Sequence, residues 1–231
     1  VDSGATWSPI VRLTDSDRKL LNYGWSWGTV CWQKPDLILA RRHHSGSVWF
    51  SEDRGASFRQ IADRTWCFGF ASPTVLLTGG TNNVGIQRSQ DGGTTWEQVH
   101  DGKINAREPV LLLDGCWWLL DEGLAVSRDE GANWQIVHPF EHGYWGPLFS
   151  PNRQQIVVVD RQGVQLSSDA GATWQTVCPH PGLESERVEA DLFTPGKTDH
   201  REMFRLQFTV DWNARSIYYS GDRELCRRPL P

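Results

Sequence analysis

Basic charge, long apolar runs and helical periodicity are all scarce in this 231-residue sequence, and each shortage narrows what the chain can be. Lys and Arg number 23 against 28 Asp and Glu, a net charge of −5. A protein that grips nucleic acid through its phosphates carries a basic excess, so the balance argues against a general nucleic-acid binder. No stretch reaches the roughly 18 consecutive apolar residues of a membrane-spanning helix, so no membrane span is expected. No basic segment followed by an apolar core stands near the first residue, so no signal peptide is visible. The five cysteines, Cys31, Cys67, Cys116, Cys178 and Cys226, form no C-x-x-C pair. That leaves no zinc or redox motif, and an odd count disfavours a full disulfide framework. They read as buried thiols in strands. No motif calls for a metal or a cofactor. Helical spacing is confined to "DSDRKLLN" at 15–22, which reads as one or two turns in a connecting loop.

What remains is a folded composition, 39 % hydrophobic and 22 % charged, with 13 tryptophans. It is organised by a repeated phrase. Residues 89–96 read "SQDGGTTW", 127–134 "SRDEGANW" and 167–174 "SSDAGATW". A looser copy, "SEDRGASF", occupies 51–58, and the chain opens on "VDSGATW". The phrase places Asp2, Asp53, Asp91, Asp129 and Asp169 at intervals of 51, 38, 38 and 40, and "YYSGDREL" adds a weaker echo at Asp222. A period near 40 holds about four short strands and their turns. Over 62–101, "TWCFGFASP", "TVLLTGG", "VGIQRSQD" and "TWEQVHD" are four strand-like runs bounded by turn residues. The span 139–178 repeats the plan with "YWGPLFSP", "QQIVVVD", "GVQLSSD" and "TWQTVCP". The last unit offers "ADLFTP", "FRLQFTVDW" and "SIYYSG". Repeated four-stranded units of this length point to an all-β fold, a β-propeller of antiparallel blades.

The phrase S-x-D-x-G-x-[ST]-[WF] resembles the Asp box, or bacterial neuraminidase repeat. Ser89–Trp96, Ser127–Trp134 (with Asn133 in place of Ser or Thr), Ser167–Trp174 and Ser51–Phe58 carry it. The resemblance implies a motif at the hairpin between the third and fourth strands of each blade. Asp side chains there accept backbone N–H groups and stabilise a tight turn. Gly93, Gly131 and Gly171 supply positive φ, and Trp96, Trp134 and Trp174 fill the gaps between blades. Spread one per blade, these carboxylates cannot converge on a substrate, so the boxes build the fold. About five blades in one domain, 1–231, are expected. "TWSPIVRL" then acts as the outer strand of the last blade; six or seven blades follow if the chain is a fragment.

Ligands of propellers bind where innermost strands and the loops before them surround the channel. Aligning the units on those strands selects Trp25 and Trp27; Arg64 and Trp66; Arg107 and Glu108; Tyr144 and Trp145; and Arg187 and Glu189. Aromatic faces suit the apolar face of a sugar ring, while carboxylates and arginines bind hydroxyls or an anionic group. Arg64, Arg107 and Arg187 resemble a sialidase arginine triad only thinly. The nearest text to its Arg-Ile-Pro motif is Arg107-Glu108-Pro109, at mid-chain. "RRHH" at 41–44 reads as a solvated turn, because adjacent strand side chains point to opposite faces. "TGGTNN" lacks the lysine of a phosphate loop.

Asp-box propellers include receptor ectodomains and assembly scaffolds as well as glycoside hydrolases. Without a nucleophile and acid pair in a recognised motif, the sequence favours a non-catalytic propeller that binds a glycan or protein partner. The alternatives are a sialidase-like or xyloglucanase-like hydrolase, or a structural subunit of a secreted or virion assembly. The family resemblance implies an extracytoplasmic setting: secreted, periplasmic or on a virion surface.

Overall fold

A computed structural model describes residues 25–42, 46–65, 67–80, 85–104, 108–178, 207–220 and 225–231. Among them are nineteen strands and no helix. The first sheet joins β1 (Trp25–Val30), β2 (Ile38–Arg42), β3 (Val48–Ser51) and β4 (Arg59–Ala62). The second joins β5 (Cys67–Ser72), β6 (Val75–Gly79), β7 (Ile86–Ser89) and β8 (Glu97–His100). The third joins β9 (Val110–Leu112), β10 (Gly115–Leu120), β11 (Gly123–Ser127) and β12 (Gln135–Pro139). The fourth joins β13 (Trp145–Phe149), β14 (Ile156–Asp160), β15 (Gly163–Ser167) and β16 (Gln175–Cys178). The fifth holds three strands, β17 (Gln207–Asp211), β18 (Ser216–Ser220) and β19 (Leu225–Pro229). Neighbouring strands in sequence pair antiparallel.

Burial along each sheet follows the sequence. Burial alternates along β2, whereas the middle strands β6, β11, β14 and β15 are buried from end to end. Such runs need cover on both faces. The fourth strands carry polar residues and are largely open, as in β8 and β16.

The chain divides into two compact units, Val1–Trp117 with Val126–Gln135, and Trp118–Ala125 with Ile136–Pro231. In the first, Leu39, Val48, Phe50 and Ile61 of the first sheet pack on Phe68, Phe70 and Leu76 of the second. Phe50 and Phe70 meet at a tilt, with ring centroids 6.4 Å apart. In the second, Val157, Val159, Val164 and Leu166 of the fourth sheet pack on Phe208 and Ile217 of the fifth. Removing a ring such as Phe68, wholly buried, costs about 3–5 kcal/mol on the scale of core truncations. Cys31, Cys67, Cys116 and Cys178 are buried and form no disulfide among the described residues, and burial pushes the Cys116 thiol well up.

Asp2, Trp66, Arg107, Arg187 and Glu189 lie outside the described residues. So do 15–22, "TWSPIVRL", "ADLFTP", Asp222, and His43 and His44.

Candidate functional site

The repeated octapeptides form the hairpins β3–β4, β7–β8, β11–β12 and β15–β16. All four use one hydrogen-bond plan. The opening serine hydroxyl donates to the aspartate Oδ1, at 2.8 Å for Ser51, Ser89 and Ser127 and 2.9 Å for Ser167. The same hydroxyl accepts the glycine N–H two residues beyond the aspartate, at 2.7–2.8 Å. The seventh residue donates its backbone N–H to Oδ1 at 2.8–2.9 Å. Its side chain donates to Oδ2: Ser57, Thr95 and Thr173 at 2.6 Å, and Asn133 through its amide at 2.7 Å. Asn133 therefore replaces a hydroxyl donor with an amide donor and keeps the bond.

These donors favour the ionised carboxylate. Asp53, Asp129 and Asp169 are drawn down to about 2, first by the side chain of the seventh residue and then by its backbone N–H. Asp91 is likewise drawn down, first by the Thr95 side chain. A carboxylate so acidic and so fully engaged holds a turn; it does not relay protons near neutrality.

Each hairpin needs two successive left-handed residues. The first has φ of 59°, 69°, 56° and 58° at Arg54, Gly92, Glu130 and Ala170, where an L-residue fits at some cost. The second has φ of 86°, 89°, 80° and 94° at Gly55, Gly93, Gly131 and Gly171, beyond that comfortable region. The tryptophans are half-buried and serve different bonds. Trp96 donates its indole N–H to the Ile61 carbonyl of the first sheet at 3.2 Å. Trp134 and Trp174 donate to their own hairpin glycines at 3.0 Å. Trp174 also meets Phe140 edge-on at 4.9 Å and His138 at 5.4 Å. Arginines tie two hairpins to the preceding sheet: Arg59 donates to the Gly92 carbonyl at 2.7 Å, and Arg88 to the Glu130 carbonyl at 2.8 Å.

The residues read as ligand-binding fall in different settings. Trp25 and Trp27 stand in β1 opposite Arg42 and Arg41. Arg64 is exposed between β4 and β5 at φ 52°, its N–H on the Asp63 side chain at 3.0 Å. Glu108 is half-buried just before β9. Trp145 is tied into the packing of the fourth and fifth sheets. Its indole N–H donates to the Phe208 carbonyl at 3.1 Å, and the two rings lie 6.2 Å apart.

Tyr144 sits differently. The loop 140–144 is braced on both sides. Phe140 N–H donates to the Glu122 carbonyl at 3.1 Å, and Gly143 N–H to the Asp121 carbonyl at 3.3 Å. On the other side, Tyr144 N–H donates to the Val159 carbonyl at 2.8 Å, and the Glu141 carbonyl accepts from Arg161 N–H at 2.9 Å. Gly143 is required there, because a Cβ would stand 2.5 Å from the Leu120 carbonyl. On this frame His142 Nδ1 meets Asp121 Oδ1 at 2.8 Å, and Arg161 Nη1 donates to Glu141 Oε1 at 3.0 Å. Arg161, Asp121, Asp160 and Glu141 all act electrostatically on the Tyr144 phenol, which burial above all pushes well up. Asp160 is buried and accepts Gln162 N–H, Gly163 N–H and the Gln165 amide through one oxygen, at 2.9–3.0 Å. Burial outweighs those bonds and raises its pKa. The arrangement presents donors and acceptors of both signs on a rigid loop.

Asp121 and Arg161 were not singled out in the sequence. Each stands beside a second charged residue in a turn between second and third strands, "LLDEGL" and "VVDRQGV". That shared D-x-G or D-x-x-G text in consecutive units was the available signal.

The fold is a β-propeller of antiparallel, mostly four-stranded sheets, about five in number. The chain is similar in structure to YCF48 from Cyanidioschyzon merolae at a TM-score of 0.53 and 14 % identity, covering 91 % of this chain and 68 % of that one. It is similar to the Niastella koreensis GH74 enzyme at 0.52 and 11 % identity, covering 90 % of this chain and 38 % of that one. A third likeness is to the extracellular domain of a putative one-component system from B. thetaiotaomicron, at 0.54 and 8 % identity, covering 84 % and 26 %. The chain thus spans little more than a third of the GH74 enzyme. No protein-family model and no curated protein matches the sequence. No helix among the described residues is long and apolar enough to cross a membrane.

Proposed function

We propose that this chain is a non-catalytic Asp-box propeller that recognises a glycan or protein partner outside the cytoplasm. The octapeptides are read as Asp boxes because four of them share one serine–aspartate–glycine bonding plan. The observation that carries recognition is the braced loop 140–144. There the Asp121–His142 and Glu141–Arg161 pairs are held on the loop that carries Tyr144, whose phenol feels the charges of Arg161, Asp121 and Glu141. Surface pairs of this kind exchange partners with a ligand's hydroxyl or amide groups at small net cost. Likeness to an extracellular domain supports the location.

Binding is favoured over hydrolysis because Asp160 holds the β14–β15 turn and Glu141 is paired with Arg161. The test is a glycan-array screen of the whole chain alongside a reducing-sugar assay on every hit. The expected result is a bound glycan, weakened about tenfold by Arg161→Ala, with no sugar released. Release of reducing sugar would replace this reading with the glycoside-hydrolase alternative, which likeness to a GH74 enzyme supports.

A further inference from the structure

We propose that the turn carrying Trp32 is a docking site for a peptide segment of a partner protein, near neutral in charge and anchored by one bulky apolar side chain. Among the described residues, Val30, Trp32 and Leu113 are the large hydrophobic side chains left exposed, at 51 %, 51 % and 74 %. The segments that carry them meet. Trp32 donates its indole N–H to the Leu111 carbonyl at 2.9 Å, reaching from the first sheet to the third, and Leu113 lies two residues beyond. Val30 and Trp32 flank the buried Cys31, and both are half exposed.

The platform is held rigid. Cys31 N–H donates to the Leu37 carbonyl at 3.0 Å, Lys34 N–H to Cys31 at 3.1 Å, and Leu37 N–H to Lys34 at 3.0 Å. With its N–H on Leu111, the indole is already oriented before any partner arrives. A fixed tryptophan loses little rotamer freedom on binding, which is why such residues act as anchors.

The chemistry of the rim selects the occupant. Lys34 and Asp114 are exposed at the two turns, and Asp36 is already bonded to Arg54. The signs balance, so a strongly charged ligand finds no complement. Two exposed aliphatic side chains offer nothing to the hydroxyls of a sugar, but an apolar side chain removes them from water. An apolar centre inside a polar rim is the anatomy of a protein interface. The exposed apolar area is on the order of 300 Å². That is well below the roughly 800 Å² per partner of a stable dimer, so a short segment fits better than a second copy.

The experiment selects phage-displayed random peptides on the folded chain and measures the affinity of synthetic copies of the winners. Enriched peptides should carry a central Trp, Phe or Leu, with little net charge. Leu113→Asp and Trp32→Ala should each weaken them at least about tenfold, and Lys103→Ala should not. Urea midpoints check that each variant is folded, and Leu113→Asp, at the most exposed position, keeps the test open if Trp32→Ala destabilises. Three results would each overturn the proposal: no enrichment, peptides indifferent to Leu113→Asp, or sedimentation revealing a self-association that Leu113→Asp abolishes. A glycan bound at Trp32 while no peptide is selected would reassign the platform to sugar.

Discussion

Gly93 and Gly171 occupy the same place in nearly identical octapeptides, yet replacing each with alanine has unequal consequences. Both have a φ that an L-residue dislikes, 89° and 94°. That shared cost is about 1–2 kcal/mol. The surroundings differ. A Cβ on Gly93 would stand 2.6 Å from the Ile61 Cβ and 2.9 Å from its Cγ2. The Ile61 Cβ is fixed by the β4 backbone and cannot rotate away, so the sheets themselves must part. Overpacking of that kind adds about 1–3 kcal/mol. At Gly171 the nearest atoms are Ile156 Cδ1 at 3.5 Å and Trp174 Cζ2 at 3.9 Å, which is ordinary contact. Gly93→Ala should therefore cost about 2–5 kcal/mol and Gly171→Ala about 1–2 kcal/mol. Gly131 falls between, because the clash at 2.8 Å is with Leu77 Cδ2, the far end of a flexible chain. Urea unfolding followed by tryptophan fluorescence reads the difference as midpoints roughly 0.5–1 M apart at equal slopes. Equal midpoints for Gly93→Ala and Gly171→Ala, or a larger loss at Gly171, would refute the reasoning.

Three other outcomes follow from the same geometry. Asp53, Asp129 and Asp169 titrate near 2 when folded against 3.8 when not. The unfolded chain therefore binds more protons in that window, and their contribution, complete above about pH 5, is lost as pH falls towards 2; a pH series of urea midpoints that stays flat from 5 to about 2 would contradict it. Asp160→Asn keeps the oxygen that accepts three donors while removing a buried charge, so stability should hold or rise slightly, whereas Asp160→Ala should lose about 2 kcal/mol; thermal melts of the pair decide. Asn133→Thr should be near neutral, because threonine donates to the same aspartate oxygen elsewhere. Asn133→Asp sets two carboxylates face to face and should lower the melting temperature, an effect weakened by salt.

Much of the architecture could be read from pattern because the pattern is local. The four runs in 62–101 are β5 to β8, and the runs in 139–178 are β13 to β16. Turn residues and alternation sit within a few positions of what they determine. β19 escaped notice because Arg227, Arg228 and Pro229 break the alternation expected of a strand, and proline is tolerated only at edges or strand ends. The site was less readable, since its geometry depends on distant partners. Nothing near Trp145 announces that its indole will bond to Phe208, 63 residues away. Likewise, Asp121 and Arg161 meet loop 140–144 only once two hairpin turns are stacked beside it. The glycines show the same limit: one phrase encodes the left-handed turn at Gly93 and Gly171, but only packing separates their neighbours.

Each sheet is assembled from strands that follow one another in sequence, and this bears on how the molecule is made. Strand pairing spans only short loops, so the entropy of closure is small and hydrogen bonds form between segments that emerge together. Among the described residues, each of the first four sheets draws its four strands from one span of about 40 residues, so it can complete its ladder during synthesis without waiting for distant sequence. The serine–aspartate hairpin, satisfied by its own side chains, fixes the register of the last two strands at that moment. Sheet-to-sheet contacts such as Trp96 on Ile61 then join units already formed, so growth by adding or losing a unit leaves each ladder intact.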